Sequence, residues 1–273
     1  MLHLRRDQLK IGIARDQIEL VRLTGWLKPR VVAHSVETIT TNVLNDNSDD
    51  CKYAALLAHL SEISGQEKWQ NVDVTLLLSS EMTRYLSFPK HAAIRQAQEL
   101  KAFAQHQFVH IYGEAANSWI IKVNICKTGE NIASAVESSF IDDLREIFSG
   151  KQQTLISIQP ALMASFNLHK KELQNKDCWF VFSENGYFTY ALIGDGQWQY
   201  VQTRRGMSID NLLQWLEREN LSGLLSVPCY EIWHIGPGKI DVEDSPFKLH
   251  ALKTYSCMDI DAEQYGLALY GGC

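Results

Sequence analysis

The sequence repeats an order of elements rather than a string of residues, and that order restricts the fold more than any single motif does. A strand-like run from Leu9 to Ile13 meets a hairpin partner from Ile18 to Leu23, and a third strand follows from Arg30 to Thr38 after a Gly/Pro turn. A polar, Asn/Asp-rich link then offers N-caps to a helix with Leu56, Leu57, Leu60 and Ile63 on one face, ending near Gly65, and Val72 to Leu78 reads as a buried strand. The same order returns at Cys178, with Gly186 opening the hairpin partner and Gln197 the third strand. A helix capped by Ser208, with Asp210 in its first turn, buries Leu212, Leu213, Trp215 and Leu216 before a strand from Tyr230 to Ile235. Three meandering strands, a helix and a strand, occurring twice, predict a duplicated α/β unit with two lobes and a cleft rather than one doubly wound sheet.

Between the repeats lies a stretch that the second one lacks. Thr83 to Pro89 is strand-like, and a helix from about Ala92 to Phe108 carries Ile94, Ala97, Leu100, Phe103 and Ala104 along one face. The residues after Asn117 return as a strand, and a helix from Phe140, a strand from Thr154 and a helix opened by Pro160 lead to the second repeat. The expected division is a first lobe over 1–174 with a small subdomain inserted at about 83–126, and a second lobe over 175–273.

Composition narrows the function. A net charge of −6 argues against a nucleic-acid binder, because the phosphate backbone selects concentrated positive surface. Arg5-Arg6, His169-Lys170-Lys171 and Arg204-Arg205 are local exceptions, read as solvated faces. No apolar run reaches the roughly 18 residues of a membrane-spanning helix, and the N-terminus lacks a signal-peptide core, so a cytoplasmic chain without direct membrane insertion is expected. Six cysteines without a C-x-x-C pair read as reduced, core-filling thiols.

Three segments resemble the degenerate branch of the actin-like, ribonuclease-H-like (ASKHA) fold that holds PilM of type IV pili, the MshI proteins and the cytoplasmic domain of the type II secretion L protein. They are the strand, Leu-Pro turn and long helix from Leu86 to Phe108, the helix, strand and alanine-rich helix from Asp142 to Phe166, and the closing Gly-Leu-Ala-Leu segment near Gly266. The resemblance implies an α/β, duplicated actin-like ATPase fold with an inserted small subdomain in the first lobe.

Active members of that fold hold nucleotide phosphate on two hairpin turns, each an acidic residue followed by glycine. Here Ala14 stands where the first Asp is expected, and Arg15-Asp16-Gln17 reads as a plain hairpin turn. The second turn keeps only Glu184, Asn185 and Gly186, of which Asn-Gly is the commonest hairpin signal. A third element, Gly236-Pro237-Gly238, resembles the glycine turn beside adenosine, but Pro237 removes a donor N–H. Asp241 occupies the position of the third glycine of a dinucleotide fingerprint.

No catalytic constellation emerges. His106 and His110 have metal-ligand spacing, but the zincin glutamate is missing and no third ligand is indicated, so a polar helix-end pair is the reading and no metal is expected. Trp26 and Trp69 fall in expected loops, where one of them is a candidate exposed anchor.

The resemblance thus implies a non-catalytic scaffold of a type IV pilus or type II secretion-like inner-membrane platform, held at the membrane through a partner. That partner is the cytoplasmic tail of a single-pass membrane protein, with the assembly ATPase as a further candidate. The implied groove is lined by Leu86, Phe88, Ile94, Arg95, Lys101, Phe108, Trp119 and Ile121. No cofactor is expected; the alternative is an ATP/Mg-binding switch or sugar-kinase-like phosphotransferase using Asp16, Glu184, Asn185, Gly186, Gly236 and Gly238.

Overall fold

A computed structural model describes residues 6–25, 29–39, 53–90, 94, 96–125, 130–150, 152–184, 186–206, 208–222, 228–253 and 266–270. In chain order the elements begin with β1 (Asp7–Ile13), β2 (Gln17–Thr24), β3 (Arg30–Thr38), α1 (Ala54–Ser64), β4 (Val72–Leu78), β5 (Arg84–Phe88), α2 (Ala97–Tyr112) and β6 (Trp119–Asn124). They continue with β7 (Asn131–Glu137), α3 (Ser138–Phe148), β8 (Gln153–Pro160), α4 (Ala161–Leu168), α5 (Lys170–Leu173), β9 (Cys178–Glu184), β10 (Tyr187–Gly194) and β11 (Gln197–Arg205). The last are α6 (Ile209–Leu221), β12 (Glu231–Ile235), β13 (Lys248–Ala251) and α7 (Gly266–Leu269).

The duplication is visible strand for strand. One sheet has the order β3-β2-β1-β4-β8 and another β11-β10-β9-β12-β13. In each, the first three strands meander antiparallel, and the central strand pairs in parallel with the strand that follows the helix: Ile11 with Leu76 in one, Phe182 with Ile235 in the other. Parallel pairing across a helix buries both faces of the central strands, which explains why Cys178 to Ser183 is apolar on every residue but the last and wholly buried.

The first compact unit comprises 1–82, 136–165 and 254–273. Leu9, Ile11 and Ile13 are fully buried on one face of β1. On the other face Gly12 lies so close to α7 that a Cβ there would sit 2.7 Å from the Ala268 nitrogen. Helices α1 and α3 pack together, with the Tyr53 ring 4.4 Å from that of Phe140. Helix α1 starts after Tyr53 without a side-chain cap, and the Asn/Asp/Ser caps expected for it lie outside the described residues. The Gln153 amide donates to the carbonyls of Ser64 and Trp69, at 2.8 Å each, stitching β8 to the end of α1.

The second unit comprises 83–135 and 166–253. Helix α6 carries the expected Ser208 cap, whose hydroxyl accepts the Asn211 N–H, and buries Leu212 and Leu216 against Trp179, Val181, Tyr190 and Ile232. Phe166 packs on Phe180 and Trp198. The inserted piece has its own sheet, β5-β7-β6, and its own core around Phe88, Leu100, Ala104, Phe108 and Ile121. Strand β5 lies beside β11, and the Glu130 N–H donates to the Trp198 carbonyl at 3.1 Å. Helix α2 begins at Ala97 rather than near Ala92, where the Glu99 carboxylate accepts the Gln96 N–H. It stops at Gly113, whose positive φ of 77° a side chain would strain.

Candidate functional site

The first turn is a tight hairpin with its donors engaged. The Ala14 N–H donates to the Gln17 carbonyl at 2.9 Å, and the Asp16 carbonyl accepts the Ile39 N–H at 2.7 Å. The Arg15 N–H, the group that a phosphate cradle would aim at its ligand, donates instead to the Glu81 carboxylate. A second anion there would meet a fixed negative charge and an occupied donor. Asp16 is exposed on the same loop.

In the second unit the other turns have structural reasons of their own. Glu184 closes the β9–β10 hairpin opposite Tyr187, and Gly186 takes φ 75°; Asn185 lies outside the described residues. Gly236 has φ 123° and approaches β9 so closely that a Cβ would lie 2.0 Å from the Ser183 carbonyl oxygen. Ser183 donates its hydroxyl to the Pro237 carbonyl at 2.8 Å and lies 2.7 Å from Nε2 of buried His234. Since a carbonyl only accepts, His234 presents Nε2–H to Ser183. Burial pulls the His234 pKa down to about 4, so the ring is neutral. Gly236 and the Pro237 carbonyl thus fasten the end of β12 to β9, Gly238 takes φ 89° just beyond, and Glu184 lies at that same carboxyl end of the parallel pair.

The residues assigned to a partner groove divide by burial. Phe88, Phe108 and Ile121 form the core of the inserted subdomain, where a ligand reaches them only by opening it. Leu86, Ile94 and Trp119 are half-buried against that core, Lys101 is exposed on α2, and Arg95 lies outside the described residues. The subdomain exposes Ile111 and Tyr112 at the end of α2, with the Tyr112 and Trp119 rings 5.2 Å apart, and Ile125 beyond the far end of β6. His106 and His110 are both exposed on α2, and the described residues contain no cluster of three or more metal-ligating side chains. Trp69 is fully buried over a short 3-10 turn, not an exposed anchor, and Trp26 lies outside the described residues.

A groove that sequence reasoning missed lies in the first unit between α1 and α3, with a volume of about 660 Å³. Tyr53, Leu57 and Ile147 give it apolar walls, and Glu137, Asp143 and Glu146 add carboxylates. Among the described residues no Lys, Arg or His lines it. Asp143, Glu146 and Ile147 share one α3 face at i, i+3 and i+4, as Ala54, Leu57 and Ser61 share one of α1 at i, i+3 and i+7. The legible signal was the acidic, amphipathic run from Phe140 to Phe148; its partner helix is some eighty residues away in the chain.

No protein-family model and no curated protein matches the chain. Solved structures do. A chain of the PilM–PilN type IV pilus biogenesis complex superimposes with a TM-score of 0.66 at 13% identity, covering 97% of this chain and 98% of that one. A protein of Bacteroides thetaiotaomicron with an actin-like ATPase fold and unknown function gives 0.57 at 11% identity, over 87% and 86%. The chain has the actin-like fold. The cytoplasmic domain of EpsL, an inner-membrane component of the type II secretion system of Vibrio cholerae, gives 0.55 at 10% identity, over 96% and 94%. On this actin-like frame the paired hairpins β1–β2 and β9–β10 correspond, and neither carries the acidic-glycine turn of an active member. No described helix is long and apolar enough to cross a membrane.

Proposed function

We propose that this chain is a non-catalytic scaffold of a type IV pilus or type II secretion-like assembly platform. It works on the cytoplasmic side of the inner membrane by holding the cytoplasmic tail of a single-pass membrane protein. The observation that carries this reading is the α1–α3 groove. Cytoplasmic flanks of membrane proteins are enriched in Lys and Arg, and an apolar groove edged by Glu137, Asp143 and Glu146 is chemically matched to a short basic tail with apolar anchors. The likeness to the PilM–PilN complex and to the EpsL domain supports the context. The Glu81 carboxylate on the Arg15 N–H weighs against an ATP switch or a phosphotransferase.

The test is calorimetric titration with synthetic N-terminal tails of the membrane proteins encoded beside this chain. One tail is expected to bind, and Asp143→Lys with Glu146→Lys to weaken it by ten-fold or more. A second reading places the tail on the inserted subdomain, as an added strand at the edge of β6; the exposed Ile111 and Tyr112 beside Trp119 favour it. Under that reading Tyr112→Ala weakens binding and the α3 reversals do not. If no tail binds and the protein turns over a small molecule, the scaffold reading is wrong.

A further inference from the structure

Every described wall of the α1–α3 groove is helix side chain or helix cap, and that restricts what can lie in it. The two helices, eleven residues each, run side by side in the same direction. Tyr53 at the head of α1 packs on Phe140 in the first turn of α3, and Gln153, just past α3, reaches the Ser64 carbonyl at the end of α1. Between their first and last turns the backbone N–H and C=O groups are spent within each helix. An extended peptide laid along the groove would therefore cover a row of its own N–H and C=O groups with little but the Ser61, Ser139 and Ser149 hydroxyls to meet them. A helix brings its hydrogen bonds with it. The half-buried Tyr53, Leu57 and Ile147 leave apolar surface for one face of such a helix, and Asp143 and Glu146 set the charge beside it. Arg145 is held by Asp142 at 2.7 Å, and among the described residues no basic side chain lies within ion-pair distance of Asp143 or Glu146.

We propose that this groove takes its occupant as a helix: a basic amphipathic segment of about 11 residues, the length of α1 and α3, lying between them. That the segment belongs to a membrane protein's cytoplasmic tail rests on the scaffold reading; its helical form does not. The spacing of the acidic groups defines the sequence the occupant carries. Asp143 and Glu146 share one face of α3 with about 5–6 Å between Cβ atoms, so two Lys or Arg at i and i+3 or i+4 of the occupant meet them. Glu137 at the head of α3 precedes Asp143 by nearly two turns, which places a third basic residue about seven positions from that pair. Apolar residues on the adjoining face of the occupant cover Tyr53, Leu57 and Ile147. A segment of this length is marginal as an isolated helix in water, so it folds as it binds and helix content rises with occupancy.

Two synthetic peptides of one composition, each about 14 residues of Leu, Lys, Ala and Gln, test it. One sets Leu and Lys on the spacing above, and the other orders the same residues so that no apolar face forms. Calorimetry with circular dichroism, at about 0.15 M salt, is expected to show the first peptide binding with a gain of helix and the second binding about ten-fold more weakly or worse. Proline at the centre of the first peptide weakens it by about ten-fold or more. Asp143→Lys with Glu146→Lys in the protein does the same, whereas Glu243→Lys with Asp244→Lys, the same change of charge in the second unit, alters binding by about two-fold at most. That control separates the groove from general attraction to an acidic chain, and both double variants melt like the parent because all four positions are exposed. Equal binding of the two orders, tolerance of the proline, no gain of helix, or equal losses in the two double variants overturns the proposal. The tails of the neighbouring membrane proteins are titrated in the same way. A tail that binds through Asp143 and Glu146 with no gain of helix keeps the scaffold reading and overturns the helical occupant. The designed helix binding while no tail does supports the helical occupant and removes the membrane partner.

Discussion

The Glu19 carboxylate, buried on β2, accepts the backbone N–H of Ala268 at 2.9 Å and so pins the closing helix α7 to the first sheet. Burial raises its pKa from 4.5 to about 7, against the lowering effect of the Ala268 and Leu267 N–H groups. The folded state therefore holds a proton that the unfolded state has released between pH 4.5 and 7, and stability falls as pH rises through that window. The shift corresponds to about 3 kcal/mol. Glu19→Gln keeps an acceptor for Ala268 and removes the charge. Melting temperature measured from pH 4.5 to 8 is expected to lose this descending component in the variant; an unchanged profile refutes it.

His234 imposes the opposite slope on the second unit. Its pKa is depressed from 6.5 to about 4 by burial, so the unfolded state binds the proton first as pH falls. Its contribution is complete above pH 6.5 and is lost between 6.5 and 4, again by about 3 kcal/mol. Acidification from pH 7.5 to 5 is thus expected to strengthen hydrogen-exchange protection of β1, β2 and α7 relative to that of β9 and β12. Equal changes in both units contradict this account.

How far the fold was legible follows from which contacts are local. Both hairpins, the Ser208 cap and the strand-helix-strand order depend on residues near one another in the chain, and the duplicated sheets reproduce that order. The apolar stripe through Ile94, Ala97, Leu100, Phe103 and Ala104 was equally plain, and of these Ala97 is exposed, but periodicity says only that a face is covered, not what covers it. Phe108 and Ile121 satisfy each other inside the subdomain instead of waiting for a partner. The α1–α3 groove depends on bringing Leu57 to Ile147 across an insertion, and the docking of α7 on Gly12 spans almost the whole chain. Neither leaves a local signature.

Two glycine substitutions separate close packing from backbone strain. At Gly12 a Cβ would lie 2.7 Å from the Ala268 nitrogen and 2.8 Å from Leu267 Cγ, so Gly12→Ala must push α7 off the sheet. At Gly186 nothing lies within 4 Å and only the φ of 75° resists a side chain. Chemical denaturation is expected to show Gly12→Ala losing about 2–3 kcal/mol and Gly186→Ala about 1 kcal/mol. Equal losses would mean that α7 does not bear on Gly12 in solution.

Nucleotide binding is the remaining point at which the fold's reputation and the residues disagree. The resemblance to the actin-like fold implies phosphate held at an acidic hairpin turn, yet Ala14 supplies no carboxylate to orient a metal and the Arg15 N–H is spent on Glu81. Gly236 owes its place to the approach of β12 to Ser183, and the Pro237 carbonyl is occupied by the Ser183 hydroxyl. Calorimetry with ATP and magnesium is expected to show no affinity tighter than about 1 mM, which is only some 4 kcal/mol of binding. Glu81→Gln removes the opposing charge without supplying a metal ligand, so it is expected to leave that result unchanged. A micromolar affinity in the parent that disappears in Glu184→Gln would restore the switch, because it would require Glu184 to act as the metal-orienting group that Ala14 is not.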